Sequence, residues 1–207
     1  YFIMTQEAKV IEKHDVVIRF SGDSGDGMQL TGQQFSDTSA LFGNDVATFP
    51  DYPAEIRAPQ GTVGGVSGFQ VHIGEEHITT PGDYADVLVA MNPAALKANL
   101  RWAKKAGTII VDTDAFTDKH IERAGYTENP LENGSLTDYN VIPVRITELT
   151  IEALRETGLD QKSVLRCKNM FALGMIYWMF ERSVEHTEAF FDIKFGKRPS
   201  IASANKL

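Results

Sequence analysis

Sulfur chemistry is scarce in these 207 residues: Cys167 is the single cysteine. An internal disulfide is therefore excluded, which fits a reducing compartment. An iron–sulfur cluster normally takes four thiolates, so this chain alone lacks the ligands for one. There is no Cys-x-x-Cys and no His-Glu-x-x-His, and His14, His72, His77, His120 and His186 are scattered. A structural zinc site is not expected. Long apolar runs are missing too. The longest, Met170–Phe180, has 11 residues and contains Gly174, against the roughly 20 that a membrane span needs; it reads as a buried helix. Positive charge is in deficit, with 20 Lys+Arg against 28 Asp+Glu, a formal net charge of −8 and a pI near 5.1. That balance disfavours nucleic acid and anionic membranes as partners. No secretory signal is visible, and a cytoplasmic location is expected.

What the chain does have is enough apolar content for a core, 43% of residues, and a length that suits one sizeable domain. Met4 reads as a native start, with Tyr1-Phe2-Ile3 left over from expression. The expected organisation is a remnant and N-terminal extension over 1–13 and a single α/β domain over 14–207. Ser203-Ala204-Asn205-Lys206-Leu207 carries no stop signal, so the natural chain is expected to continue.

The pattern along the chain alternates strands and helices. Val16–Phe20 is a β-branched run that meets the glycine cluster Gly22-Asp23-Ser24-Gly25-Asp26-Gly27, and a helix-compatible segment, Met28–Leu41, follows. Val46–Phe49 reads as a second strand. The stretch from Pro50 to Gly65 is long and rich in Pro, Gly and charge, the kind of loop that carries function. Val66–Ile73 alternates as a half-buried strand, with a turn at Gly74-Glu75-Glu76 and an antiparallel return over His77–Thr79. Asp86–Met91 is almost wholly apolar, as for a strand covered on both faces. Asn92 and Pro93 are an N-cap and first helical residue, Leu96, Leu100 and Ala103 a stripe, and Gly107 the stop. Thr108–Val111 and Val141–Ile146 are further strands. Thr147 is read as the cap of a helix through Glu156, Val164–Glu181 as one long buried helix and Thr187–Phe195 as a shorter one. This predicts a mostly parallel sheet with helices on both faces, broken by a 66–79 hairpin.

Three places draw chemistry. The glycine turn lies where open α/β sheets bind ligands, at the end of the first strand, and offers close backbone approach and helix N–H donors. Asp23 and Asp26, however, repel phosphate. A dinucleotide reading has Asp51, just past the second strand, as its ribose acid, but the spacing Gly-x-x-Gly-x-Gly departs from Gly-x-Gly-x-x-Gly. The second place is Phe49–Arg57, where Glu55 and Arg57 offer charge-assisted contacts to a neighbouring chain or an anion, and Gly64-Gly65 allows close approach of backbone. The third is Arg166-Cys167-Lys168-Asn169-Met170. Flanking cations lower a thiol pKa in principle, but a buried, inert helical Cys167 is the favoured reading. Asn169, an amide at the start of an apolar helix, needs partners and is placed to tie that helix to the glycine turn. His72 and His77 would face each other across the hairpin without making a metal site.

These residues carry a resemblance. The glycine turn with Met28 and Gly32, the segment Tyr52-Pro53-Ala54-Glu55-Ile56-Arg57 with Gly64-Gly65-Val66, Val141-Ile142-Pro143-Val144, and Lys168–Gly174 occur in that order. Together they resemble the gamma domain of the 2-oxoacid:ferredoxin (acceptor) oxidoreductase family, over roughly residues 15–205. The turn resembles the version fused to the front of the alpha subunit, as in 2-oxoglutarate or pyruvate:ferredoxin oxidoreductase. One departure is that Ser24 replaces the second glycine of the Gly-x-Gly-Gly-x-Gly of many separate gamma subunits, and both variable positions are acidic.

The resemblance implies a three-layer, Rossmann-like α/β fold, a mostly parallel sheet with an antiparallel hairpin, like domain III of pyruvate:ferredoxin oxidoreductase. It implies an enzyme that oxidatively decarboxylates a 2-oxoacid, 2-oxoglutarate favoured over pyruvate, to its acyl-CoA and passes electrons to ferredoxin. Thiamine diphosphate, the iron–sulfur cluster and coenzyme A belong mainly to other domains, and this chain is expected to bind no cofactor alone. The implied partners are a thiamine-binding beta subunit and the remaining alpha-subunit domains, with ferredoxin meeting the whole complex; there is room for a homodimer of the assembly. Gly22, Asp23, Ser24, Gly25, Asp26, Gly27, Glu55, Arg57 and Asn169 are the expected cofactor-facing residues, with no catalytic and no metal-ligating residue. Two other readings stay open: a stand-alone NAD(P)- or nucleotide-binding enzyme domain, and a purely structural assembly module.

Overall fold

A computed structural model describes residues 11–55 and 57–207. Residues 1–10 of the expected remnant and N-terminal extension over 1–13, and Ile56, lie outside these residues. The strands are β1 Asp15–Asp23, β2 Asp45–Asp51, β3 Val66–Gly74, β4 Ala85–Ala90, β5 Ala103–Asp112 and β6 Asn140–Val144. They form one sheet in the order β2-β3-β1-β4-β5-β6. β1, β4, β5 and β6 run parallel, while β3 lies antiparallel between β1 and β2. The helices are α1 Met28–Leu41, α2 Pro93–Asn99, α3 Asp118–Arg123, α4 Ile146–Ala153, α5 Gln161–Arg166, α6 Lys168–Met179, α7 Glu185–Lys194 and α8 Pro199–Lys206.

Side-chain alternation explains the three layers. In β4 every residue is buried, and successive side chains point to opposite faces. Val87 and Val89 join Val16, Ile18 and Phe20 of β1, Phe69 and Val71 of β3, and Phe35, Leu173 and Ile176 from α1 and α6. Leu88 and Ala90 join Ile109 and Val111 of β5 and Ala95 and Leu96 of α2 on the other face. The first layer is fastened by Phe35, whose ring lies 6.1 Å from Phe20 and 6.1 Å from Tyr177. The Tyr177 hydroxyl bonds Thr38, Thr187 and the Gln34 carbonyl, each within 3.0 Å, and so joins α1, α6 and α7. Prolines occur in both edge strands, Pro50 in β2 and Pro143 in β6.

The expected class, a mostly parallel α/β sheet with helices on both faces, is what forms, and α1 has the predicted limits. Its antiparallel part is arranged differently. β3 ends at Gly74, and His77–Thr79 forms no strand; β1 and β2 already pair with both edges of β3. His72 therefore does not face His77: His72 bonds Asp15 and the Thr80 carbonyl, and His77 bonds Asp45. Asn92 caps α2 as read, accepting from Ala95 N at 2.8 Å. Gly107 is not the stop; it lies inside β5, after Ala106 at φ 61°. Thr147 does not cap α4, which starts at Ile146. The long helix is two, α5 and α6, interrupted at Cys167. No helix among the described residues is long and apolar enough to cross a membrane.

Gly32 sets how closely α1 sits on β3. A Cβ at this position would run into the Phe69 ring and lie 2.7 Å from the Phe69 Cβ, and Phe69 is buried. Gly32→Ala is expected to lower stability by about 1–3 kcal/mol through overpacking, despite the better helix propensity of alanine. Urea unfolding measures it, and an unchanged midpoint would contradict the packing argument.

Candidate functional site

The parallel strands end in polar residues along one rim: Asp23 at the end of β1, Asn92 after β4 and Asp112 at the end of β5. Between β1 and β4 the connections leave in opposite directions, so a crevice opens there. The glycine turn lies over this crevice. Gly27 has φ 75° and no side chain caps α1. A Cβ on Gly27 would lie 2.5 Å from Asn169 Nδ2, so glycine is required on both counts. Asn169 is buried, and its Nδ2 donates to the Gly27 carbonyl at 3.5 Å. The tie between α6 and the turn is therefore as expected. The Asn169 Oδ1 is buried with no partner among the described residues.

The two acidic residues turn inward on the protein's own groups. Asp26 Oδ2 accepts from Asp23 N at 2.9 Å, and Asp23 accepts from Gly61 N at 3.1 and 3.2 Å. Ser24 N donates to the Gly65 carbonyl at 3.2 Å. The glycine turn and the 50–65 loop are thus stitched together at two points. Lys168 Nζ lies 3.3 Å from Asp26. Lys168 opens α6, an end whose dipole disfavours a cation, and the carboxylates opposite it offset this. Asp112 is fully buried and accepts from Thr147 N and Oγ1 at 3.2 and 2.6 Å. Burial raises the Asp112 pKa above its ordinary value, while Thr147 and the Lys168 charge pull it down.

Of the expected site residues, the structure brings together Gly22, Asp23, Ser24, Gly25, Asp26, Gly27 and Asn169. It leaves Glu55 and Arg57 exposed on the loop; the Glu55 backbone is anchored, its N–H donating to the Gly64 carbonyl at 3.1 Å and its carbonyl accepting from Ala58 N at 3.3 Å. Cys167 is buried and donates to the Ser163 carbonyl at 3.5 Å, with its thiol pKa raised by burial. Its burial is as read. Asp51 is not offered to a ribose, because its carboxylate pairs with Arg19. Arg19 is itself a residue that sequence reasoning missed. It is 5% exposed in the middle of β1, donating to Asn99 Oδ1 at 2.6 Å, to Gln70 Oε1 at 3.0 Å and to Asp51. The signal was a lone cation inside an apolar strand. Lys168 and Asp112 were also missed; an acid directly after a buried parallel strand was the signal for Asp112.

A diphosphate at the glycine turn would meet Asp23, Asp26 and Asp112 against one cation, Lys168, so the turn does not fit one. A cluster of iron and sulfide would find one buried thiol.

Sheet order, crevice and turn define a Rossmann-like α/β domain whose strand-end loop is acidic rather than phosphate-cradling. Residues 17–207 match the family model for pyruvate ferredoxin/flavodoxin oxidoreductase, and the chain belongs to that family. It is 56% identical over 193 residues to the 2-oxoglutarate oxidoreductase subunit KorA of Mycobacterium tuberculosis, covering 93% of this chain and 30% of the relative. The fold is shared with a 2-oxoglutarate:ferredoxin oxidoreductase of Magnetococcus marinus solved with 2-oxoglutarate, coenzyme A and succinyl-CoA bound: TM-score 0.67, 24% identity, 94% of this chain and 30% of that one. It is also shared with a keto/oxoacid ferredoxin oxidoreductase gamma subunit of Geobacter sulfurreducens: TM-score 0.59, 21% identity, 92% of this chain and 94% of that one. The chain thus spans about a third of the length of the first two and nearly all of a separate gamma subunit.

Asp23 generates a pH prediction. Burial first, then Asp26, raises its pKa; the Gly61 N–H, Asn92 and Lys168 act the other way. In the unfolded chain an Asp ionises near 3.9, so over the window just above that value the folded state binds more protons. Stability contributed by this group therefore falls as pH rises through the folded pKa. Asp23→Asn removes the titration. Its stability relative to wild type, from urea unfolding, should rise as pH increases from the ordinary Asp range through the folded pKa; a flat or falling difference would contradict the assignment.

Proposed function

We propose that this chain is the gamma-type domain of a 2-oxoacid:ferredoxin oxidoreductase, fused ahead of alpha-subunit domains, with 2-oxoglutarate favoured over pyruvate. The observation that carries the reading is the 56% identity over 193 residues to a 2-oxoglutarate oxidoreductase subunit. The complete enzyme converts the 2-oxoacid and coenzyme A to the acyl-CoA and carbon dioxide, with two electrons leaving to ferredoxin. Thiamine diphosphate and the cluster sit in the other domains and the beta subunit, in keeping with the acidic turn and single buried cysteine here.

The role of this chain is positional. The glycine turn and the 50–65 loop move as one unit, because Asp23–Gly61 and Ser24–Gly65 join them. They face the thiamine-bearing domain, and the unpartnered Asn169 Oδ1 supports a donor arriving from that side. Glu55 and Arg57, exposed in the chain alone, are its polar contacts to the neighbouring domain or to the substrate carboxylates.

The test is the full-length chain co-expressed with its thiamine-binding partner, loaded with clusters and assayed for viologen reduction. Turnover is expected with 2-oxoglutarate, to depend on coenzyme A, and to be much weaker with pyruvate. Glu55→Ala and Arg57→Ala should each lower it by about tenfold or more, and the 207-residue chain alone should be silent. An assembled, loaded complex inactive with both acids would overturn the reading.

A further inference from the structure

A second cleft lies on the α2 face of the sheet, beside the 50–65 loop. Asp51, Tyr52 and Val63 form one wall and Lys97, Arg101 and Trp102 the other, with Asn99 in its lining, around a space of about 340 Å³. Small-molecule sites begin at about this size. Three large side chains around it remain in water: Tyr52 is 70% exposed, Val63 41% and Trp102 38%. Leaving such surface uncovered on both sides of one cleft is unfavourable.

The charges point to the sign of what fits. The single carboxylate in the lining, Asp51, is committed to Arg19. Asn99 is fully used, accepting from Arg19 and donating to Ser21 Oγ and the Ala95 carbonyl, so the base of the cleft is fixed and offers no free donor. Lys97 Nζ bonds the Gly125 carbonyl and lies 4.7 Å from the Tyr126 ring centre. Arg101 lies over the Trp102 ring, with Cζ 4.8 Å from the ring centre. Neither cation has a carboxylate partner among the described residues. The charge of Arg101 also acts on buried Arg19 and lowers its pKa further, after burial itself; an anion in the cleft would offset that repulsion. Two uncompensated cations in one cleft are a local reversal in a chain of net charge −8. A guanidinium offers a planar fork of N–H donors, the geometry that suits carboxylate or phosphate.

We propose that this cleft binds a small organic anion with a planar apolar body, its carboxylate or phosphate on Arg101 and Lys97 and its flat portion between Tyr52 and Trp102. The site does not depend on the oxidoreductase reading, and its test uses no turnover. The chain has two tryptophans, Trp102 in the cleft and Trp178, 77% exposed on α6, so two indole N–H resonances report separately. The 207-residue chain, labelled with nitrogen-15, is titrated with 2-naphthoate and with the neutral 2-naphthamide.

The expected result is a saturable shift of the Trp102 resonance with 2-naphthoate while Trp178 stays still. Binding should weaken about tenfold or more for 2-naphthamide and for Arg101→Ala with 2-naphthoate, and should weaken with added salt. Arg101 is exposed and, among the described residues, hydrogen-bonded to no other side chain, so the variant is expected to fold; an unchanged Trp178 resonance checks this. No saturable Trp102 response, equal binding of the amide, or a response unaltered in Arg101→Ala overturns the proposal.

Discussion

A full positive charge in the interior of the sheet governs much of this architecture. Arg19 sits in β1 with about one-twentieth of its surface in water, and an unpaired charge there would be prohibitive. Its guanidinium can only be tolerated if each nitrogen meets an acceptor. Three separate elements supply them: Asn99 from α2, Gln70 from β3 and Asp51 from the end of β2. That requirement fixes where α2 lies across β1, which way Gln70 points, and where the chain leaves the sheet to begin the 50–65 loop. Gln70 in turn donates to the Pro81 and Gly82 carbonyls, so the connection into β4 is also fastened to the same charge. The network is specific because it is expensive to leave incomplete.

The crevice at the strand ends follows a different logic. There the acids do the organising, and the backbone is what they organise. Asp26 folds the turn by accepting from Asp23 N; Asp23 reaches across to the loop at Gly61. Lys168 keeps the cluster from being uniformly negative, and Asn169 beside it seals α6 against Gly27. A turn built this way is held in shape by its own side chains and backbone groups.

Local signals were legible and non-local ones were not. The limits of α1 were readable because Gly27 and Gly43 bracket it with positive φ, and α2 because Asn92-Pro93 is an unambiguous start. The alternation in β3 correctly marked a half-buried strand, yet nothing in Gly74-Glu75-Glu76 reveals that both edges of β3 are occupied by strands far away in sequence. The break between α5 and α6 is hidden because apolar periodicity runs on through Cys167. Gly107 looked like a helix stop because strand β5 begins early and carries its irregularity at Ala106 and Gly107, where its register against β4 shifts. At the site, glycines and Asn169 were readable as chain-approach residues. The partners of Asp23, Asp51 and Lys168 were not, since charge pairing across the fold leaves no spacing rule in the sequence.

The prolines of the outermost strands have an effect on how this domain meets other molecules. A bare sheet margin exposes alternating donors and acceptors that invite a foreign strand. Pro50 and Pro143 each lack the amide hydrogen that such an addition requires, and they interrupt both margins. The sheet therefore terminates itself at each end. A large assembly can then pack many copies of such domains side by side, each joined through chosen side chains and loops, with little risk that neighbouring sheets fuse into one.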